Sequence, residues 1–359
     1  MTNASFLLYG ANGYSGKLIA RFAARYQVSP VLAGRNAAAL KQLSRETGYP
    51  FRVADINDAA QLRTIMRDVQ LVVNAAGPFD RTARQLIEAC LDLKKHYIDL
   101  NGDTAVFEMI RAYHHQALEA GIMILPGAGF DVVPTDCLAL FLAQQMPEAS
   151  SLEIAFAIKG SSLSHGTAIT TAERLGLPGA IRSDGRITGE PVGKRGMEVE
   201  FTPWKEKAFV MSIPWGDIST AWYSTHIPNI ITYTAVTRTT WWFLKGQVLF
   251  NWLLCTKFMR RKITGLIHQR IDGPGDLQRA KAVSLIRATV SNRAGNKLTA
   301  FLRCPEAYSL TADASLLITQ KVLRGIHRAG YQTPASAYGS ELVMEIKDVE
   351  RIQVQTTHS

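Results

Sequence analysis

Residues 6–16 read Phe-Leu-Leu-Tyr-Gly-Ala-Asn-Gly-Tyr-Ser-Gly, an apolar run that breaks into glycines at 10, 13 and 16. A helical pattern follows at once, with Leu18, Ile19, Phe22 and Ala23 on one face. Strand, glycine turn and amphipathic helix, in that order, make the entry to a dinucleotide-binding βαβ unit. Gly10 suits the tight turn, Gly13 lets the backbone approach a pyrophosphate, and Gly16 lets the helix pack closely on the strand. With Asn12, Tyr14 and Ser15 they form the predicted phosphate loop, where a helix N-terminus offers N–H groups to negative charge. The same spacing also occurs in turns that only fold. Its place between strand and helix favours the phosphate reading.

The second apolar run, Val31-Leu32-Ala33-Gly34-Arg35-Asn36, ends about 20 residues later, where a ribose-reading residue is expected. An NAD site has Asp or Glu there; this chain has Arg35. Its guanidinium matches a 2′-phosphate, and no carboxylate stands there to repel one, so NADP(H) is the expected cofactor. The plain alternative is a surface arginine after a strand.

The first third alternates strands and helices with short connections, the pattern of an open parallel sheet. Strands are expected near 51–54, 71–74, 96–100 and 122–125, and helices near 37–47, 58–67, 84–90 and 113–120. Ligands of such sheets lie outside the carboxyl ends of the strands. That rule puts loops 10–16, 35, 55, 74–79, 99–103 and 126–131 on one rim. From about Ser151 the pattern changes to strands at 152–159, 198–201 and 230–236 between Gly/Ser/Thr-rich stretches, read as a mixed sheet built over the rim. Helices are expected at 314–328 and 340–346. The expected division is a cofactor domain at 1–135, an α+β substrate and dimerisation domain at 136–310, and a tail at 311–359 returning to the first.

The four cysteines (90, 137, 255 and 304) make no C-x-x-C pair, so neither a metal cage nor a disulfide framework is predicted. With no secretory signal pattern at the N-terminus, a cytoplasmic protein is the expectation. The net charge of +10 is uneven: residues 235–330 hold 16 Lys/Arg against 4 Asp/Glu, while residues 1–150 hold 14 of each. A dinucleotide does not account for that surplus. A membrane surface, a carrier protein or an acidic substrate tail would, and so would a solvated basic face. No nucleic acid is expected.

The loops together resemble those of the saccharopine dehydrogenase-like oxidoreductases, a group that includes the mycobacterial trans-acting enoyl reductases. The residues that carry the likeness are 9–16, Ala33-Gly34-Arg35, and Asn74-Ala75-Ala76-Gly77-Pro78-Phe79. His96-Tyr97-Ile98-Asp99-Leu100-Asn101-Gly102-Asp103, Gly129-Phe130-Asp131-Val132-Val133-Pro134-Thr135-Asp136 and Thr333-Pro334-Ala335 complete it. It is specific over 5–140, recognisable at 308–345 and thin between. The resemblance implies an NADP-binding Rossmann domain, a second α+β domain facing it, and a homodimer. Three positions depart from the family pattern: Asp80-Arg81-Thr82 where Gly is usual, Asp103 for Glu, and Ser164-His165-Gly166-Thr167 for Ser-Gly-Gly-Thr. All three fall on the expected substrate side, so the family's substrates transfer poorly.

Several residues invite chemical roles. Asn74, Ala75, Gly77, Pro78 and Phe79 would pass close to the cofactor, or simply end a strand. Asp55 and Gly129 share the expected rim. Asp99 would relay a proton, and Asp103 would bind substrate or else cap a helix. His165 would donate a proton after hydride transfer, and Arg195 would hold a substrate carboxylate or phosphate. Residues 241–254, with three tryptophans and no clean polar face, call for burial, a dimer surface or lipid. Lys257, Arg260, Arg261 and Lys262 follow, so 241–262 is a candidate for peripheral membrane contact. The predicted activity is NADPH-dependent reduction of a C=C or C=N bond in a hydrophobic, acyl-like substrate. The alternatives are a C–N oxidoreductase acting on an amino acid and a non-catalytic NADP-binding protein at a membrane.

Overall fold

A computed structural model of the chain describes residues 5–162, 164–166, 178–246 and 273–357. The chain divides into two compact units, 1–133 with 308–342 and 134–307 with 343–359.

The first unit holds a seven-stranded parallel sheet. Its strands are β1 (Ser5–Tyr9), β2 (Ser29–Gly34), β3 (Phe51–Val53), β4 (Leu71–Asn74), β5 (His96–Asp99), β6 (Met123–Leu125) and β15 (Gly330–Tyr331). The spatial order is β15-β6-β5-β4-β1-β2-β3. The order reverses between β1 and β4, the crevice where a doubly wound sheet takes its ligand. Phe6, Leu7, Leu8, Leu32, Val72, Val73 and Ile98 are fully buried, as strands covered on both faces require.

The helices of this unit are α1 (Tyr14–Phe22), α2 (Ala37–Thr47), α3 (Ala59–Met66), α4 (Ala83–Leu93), α5 (Thr104–Arg111) and α6 (His114–Ala120). Asn36, Asp58 and Asp103 cap α2, α3 and α5 by accepting first-turn N–H groups. The helix Ala307–Leu323 enters the unit from Tyr308 and is tied down by Tyr26, whose hydroxyl donates to Asp313 at 3.1 Å. Gln320 adds a 2.7 Å bond to the Tyr26 carbonyl.

The second unit is a mixed sheet built on β7 (Ser151–Lys159), β10 (Gly196–Phe201), β11 (Glu206–Ile213), β12 (Asn229–Ala235), β13 (Val283–Ser291), β14 (Lys297–Pro305) and β16 (Glu350–Thr357). Their order is β10-β11-β12-β7-β13-β14-β16, with β8 (Gly179–Ser183) and β9 (Arg186–Glu190) joined as a hairpin beside β12. Only the pairing of β12 with β7 is parallel among those described. Ala155, Ala157, Val199, Phe201, Val210, Tyr233, Leu285 and Phe301 form one buried face.

The tail differs from the expectation for 311–359. Its helices belong to the first unit, but β16 pairs antiparallel with β14 in the second sheet. An alternation that leaves β14 with an open edge is satisfied by adding a strand there. The helix expected at 314–328 starts earlier, at Ala307, and 340–346 contains a short 3₁₀ turn at Leu342–Glu345.

Candidate functional site

The site begins where β1 meets α1. Gly10 has φ +84°, and a Cβ there would lie 2.6 Å from the Ala76 nitrogen and 2.8 Å from the Ala75 carbonyl carbon. A Cβ at Gly16 would come 2.4 Å from the Gly10 oxygen. Both positions therefore admit only glycine, one for backbone conformation and loop contact, the other for helix-on-strand packing. Gly13 is exposed and stands at the N-cap of α1, with no side-chain cap bond. That leaves the cap of this nine-residue helix to a ligand or water. Asn12 lies against Gly34, where a Cβ would be 3.1 Å from its Oδ1. Tyr14, half-buried beside Ser15, makes an edge-to-face contact with Tyr308, ring centroids 4.9 Å apart.

Arg35 is exposed one residue past β2. Its charge and that of Asp55 both reach the Tyr9 phenol. Burial first, then the Asp55 charge, push that phenol up to about 12, and Arg35 opposes the rise. Asp55 is itself exposed and accepts from the Asn57 backbone and side chain at 2.9 and 3.1 Å.

The loop after β4 carries Ala75, Gly77, Pro78 and Phe79 on the rim, with Gly77 exposed, the others half-buried and the Gly77–Pro78 peptide cis. Ala75 donates to the Tyr9 carbonyl at 2.8 Å. Asn74 is bonded to the chain itself. Its side chain is fully buried, donates to Thr82 Oγ1 at 3.2 Å and to the Tyr97 hydroxyl at 3.1 Å, and accepts from the Ala76 N–H. These bonds fix the shape of the loop.

Asp99 is likewise turned to the chain itself. It is fully buried, accepting from the Tyr97 hydroxyl at 2.8 Å, the Asn101 N–H at 2.9 Å and the Gly127 N–H at 3.0 Å. Burial pushes its carboxyl up to about 6 against those bonds. It clamps the loops after β5 and β6 together. Asp103 caps α5 through the Ala105 N–H at 2.9 Å. Gly129 is buried under Thr311, so its missing Cβ makes room for the chain's own helix. Thr311 Oγ1 accepts from the Phe130 N–H at 3.0 Å.

Asp131, named in the sequence only as part of a motif, is a second raised carboxyl on the rim. It is half-buried, and Gly102 makes room for it: a Cβ there would lie 2.4 Å from Asp131 Oδ2. Burial alone pushes this carboxyl up to about 7. The sequence signal for it was the glycine at 102, which no turn geometry demands.

In the second unit, Arg195 pairs with a carboxylate of the chain. Its Nε and Nη2 meet the two oxygens of buried Glu190 at 3.1 and 3.3 Å, and Lys194 adds a third contact. His165 is half-buried in the short described stretch 164–166, beside residues outside the description. Of the apolar run 241–254, only 241–246 are described, and the basic cluster at 257–262 lies outside as well. Among the described residues no group of three or more His, Cys, Asp or Glu could hold a metal ion. No helix among them is long and apolar enough to cross a membrane.

The model of the saccharopine dehydrogenase NADP binding domain matches residues 6–125, which carry the rim loops from 10–16 to 99–103. Residues 6–125 are similar to that domain. The cofactor is therefore NADP(H), as the family's description states and as Arg35 leads one to expect. Curated relatives include a trans-acting enoyl reductase of Mycobacterium ulcerans, 31% identical over 157 residues, covering 42% of this chain and 38% of that protein. A saccharopine dehydrogenase-like oxidoreductase of Mus musculus is 28% identical, over 39% of this chain and 37% of that protein. The matches thus span little more than a third of those relatives' own length. Among solved structures, apo saccharopine dehydrogenase (L-Glu forming) from Saccharomyces cerevisiae superposes with a TM-score of 0.69. It is 13% identical, with 98% of this chain and 100% of that one covered, and shares the fold.

Proposed function

We propose that the chain is an NADP(H)-dependent oxidoreductase that reduces the C=C bond of an acyl-like, hydrophobic substrate. The observation that carries this reading is Asp131, a carboxyl raised by burial on the same rim as the uncapped, glycine-built start of α1. Bound NADPH supplies a hydride. The chain's own residues do the rest. The α1 N-terminus with Gly10 and Gly13 receives the pyrophosphate, and Arg35 pairs with the 2′-phosphate. Asp131, still partly protonated at neutral pH, gives its proton to the carbon next to the substrate carbonyl and regains it from solvent. The double bond thereby takes up one hydride and one proton. Asp131 takes the proton role expected of Asp99 and His165, because the Asp99 oxygens are spent on the loops and Asp131 lies on the rim. The preference for C=C over C=N is supported by the relatives named as enoyl reductases.

The test is NADPH oxidation followed on two panels, enoyl thioesters and pairs of a 2-oxo acid with an amine. Oxidation driven by an enoyl thioester and abolished by Asp131→Asn supports the reading. Turnover on the oxo-acid and amine pairs alone sinks the C=C assignment. Tight NADPH binding with no turnover on either panel sinks the enzyme.

A further inference from the structure

The helix Arg238–Gly246 carries three consecutive aromatic side chains, and they are used in two different ways. Trp241 is the root. Its Nε1 donates to the Gly193 carbonyl at 2.7 Å, and its ring lies 5.0 Å from that of Phe209. Gly196 is required beneath it, since a Cβ there would be 2.7 Å from the Trp241 ring. Trp242, whose ring lies 5.0 Å from that of Trp241, and Phe243 are 65% and 72% exposed. They are bordered by exposed Thr239, Thr240 and Lys245, whose ammonium lies 4.2 Å from the Trp241 ring centre and 5.8 Å from that of Trp242. Arg238, also exposed, pairs with Glu198.

We infer that Trp242 and Phe243 dock the protein on an anionic lipid surface, with Lys245 meeting the headgroup phosphates. Two rings within a polar and cationic border are too small a patch for a stable dimer, which buries over about 1,200 Å² in total. They suit a bilayer interface, where amphipathic aromatic rings sit at headgroup level and basic side chains meet anionic lipid. Charge supports the same occupant: residues 235–271 contain seven Lys/Arg and no Asp/Glu. The root at Trp241 keeps the helix on the β10–β11 hairpin while its two neighbours enter the interface.

The experiment is flotation of the whole protein with vesicles of phosphatidylcholine alone and with about 30 mol% phosphatidylserine added. The wild-type chain is expected to float with the anionic vesicles and to be released by salt. Trp242→Ser with Phe243→Ser should weaken that binding at least about tenfold, and Lys245→Glu by several-fold. NADPH affinity and cooperative melting, unchanged in both variants, establish that they are folded. Failure to float with either vesicle overturns the inference, as does flotation that the double substitution leaves intact. A dimer that the double substitution converts to monomer also overturns it, because the rings then belong to a second copy.

Discussion

Asp99 ends β5 and Asp131 follows β6, the next strand in the chain, yet one positions the other. The Asp99 carboxylate holds Asn101 and Gly127, so the Gly102 and Gly129–Asp131 segments stay together around the raised carboxyl of Asp131. A carboxyl whose folded value lies above its unfolded one binds more protons in the native state. Its stabilising contribution is full below about pH 4 and is lost as pH rises through about 7. Asp131→Asn is therefore expected to raise the melting temperature by a few degrees at pH 8, roughly 1–2 kcal/mol, and hardly at all at pH 4. Thermal melts across that range check it. Glu190 is held by its two basic neighbours. Buried between Lys194 and Arg195, it should cost about 3 kcal/mol when changed to Ala, whereas Lys194→Ala, at the exposed end, should cost under about 1 kcal/mol. Arg195→Ala should lower stability without changing NADPH affinity, measured by titration calorimetry.

At the scale of elements, the cofactor loop depends on close approach. Gly16→Ala sets a methyl group 2.4 Å from the Gly10 oxygen, and relief requires α1 to move off β1. A loss of about 1–3 kcal/mol and of NADPH binding together is expected, from melts and titrations on the same variant. Much of this unit was legible in advance. The expected 37–47 and 71–74 coincide with α2 and β4, because periodicity, capping Asn36 and a short buried run agree there. The helix expected at 113–120 is α6, and α5 precedes it with Asp103 as its cap. The second sheet was harder. Its β8, β9, β11, β13, β14 and β16 went unread, since long-range antiparallel partners fix them. In β13, buried Ser284 sits beside buried Leu285 and Ile286, which blurs the period-two signal. At the site, Gly10, Gly16 and Arg35 were readable because their roles follow from local backbone and charge. Asp131 was not, because its raised carboxyl depends on Gly102 across a loop.

For the molecule as a whole, the first unit is made from two distant pieces of chain. Tyr331 in β15 pairs with β6, and Thr311 completes the loop that holds Asp131. A fragment of residues 1–133 is therefore expected to melt without cooperativity, in contrast to the full chain, as followed by circular dichroism. The direct test of the account is calorimetric titration of NADPH and NADH into the wild-type protein and Arg35→Ala. Tight NADPH binding in the wild type, weakened at least about tenfold by the substitution while NADH changes little, is the predicted result. Equal losses for the two coenzymes, or no wild-type affinity for either, would contradict it.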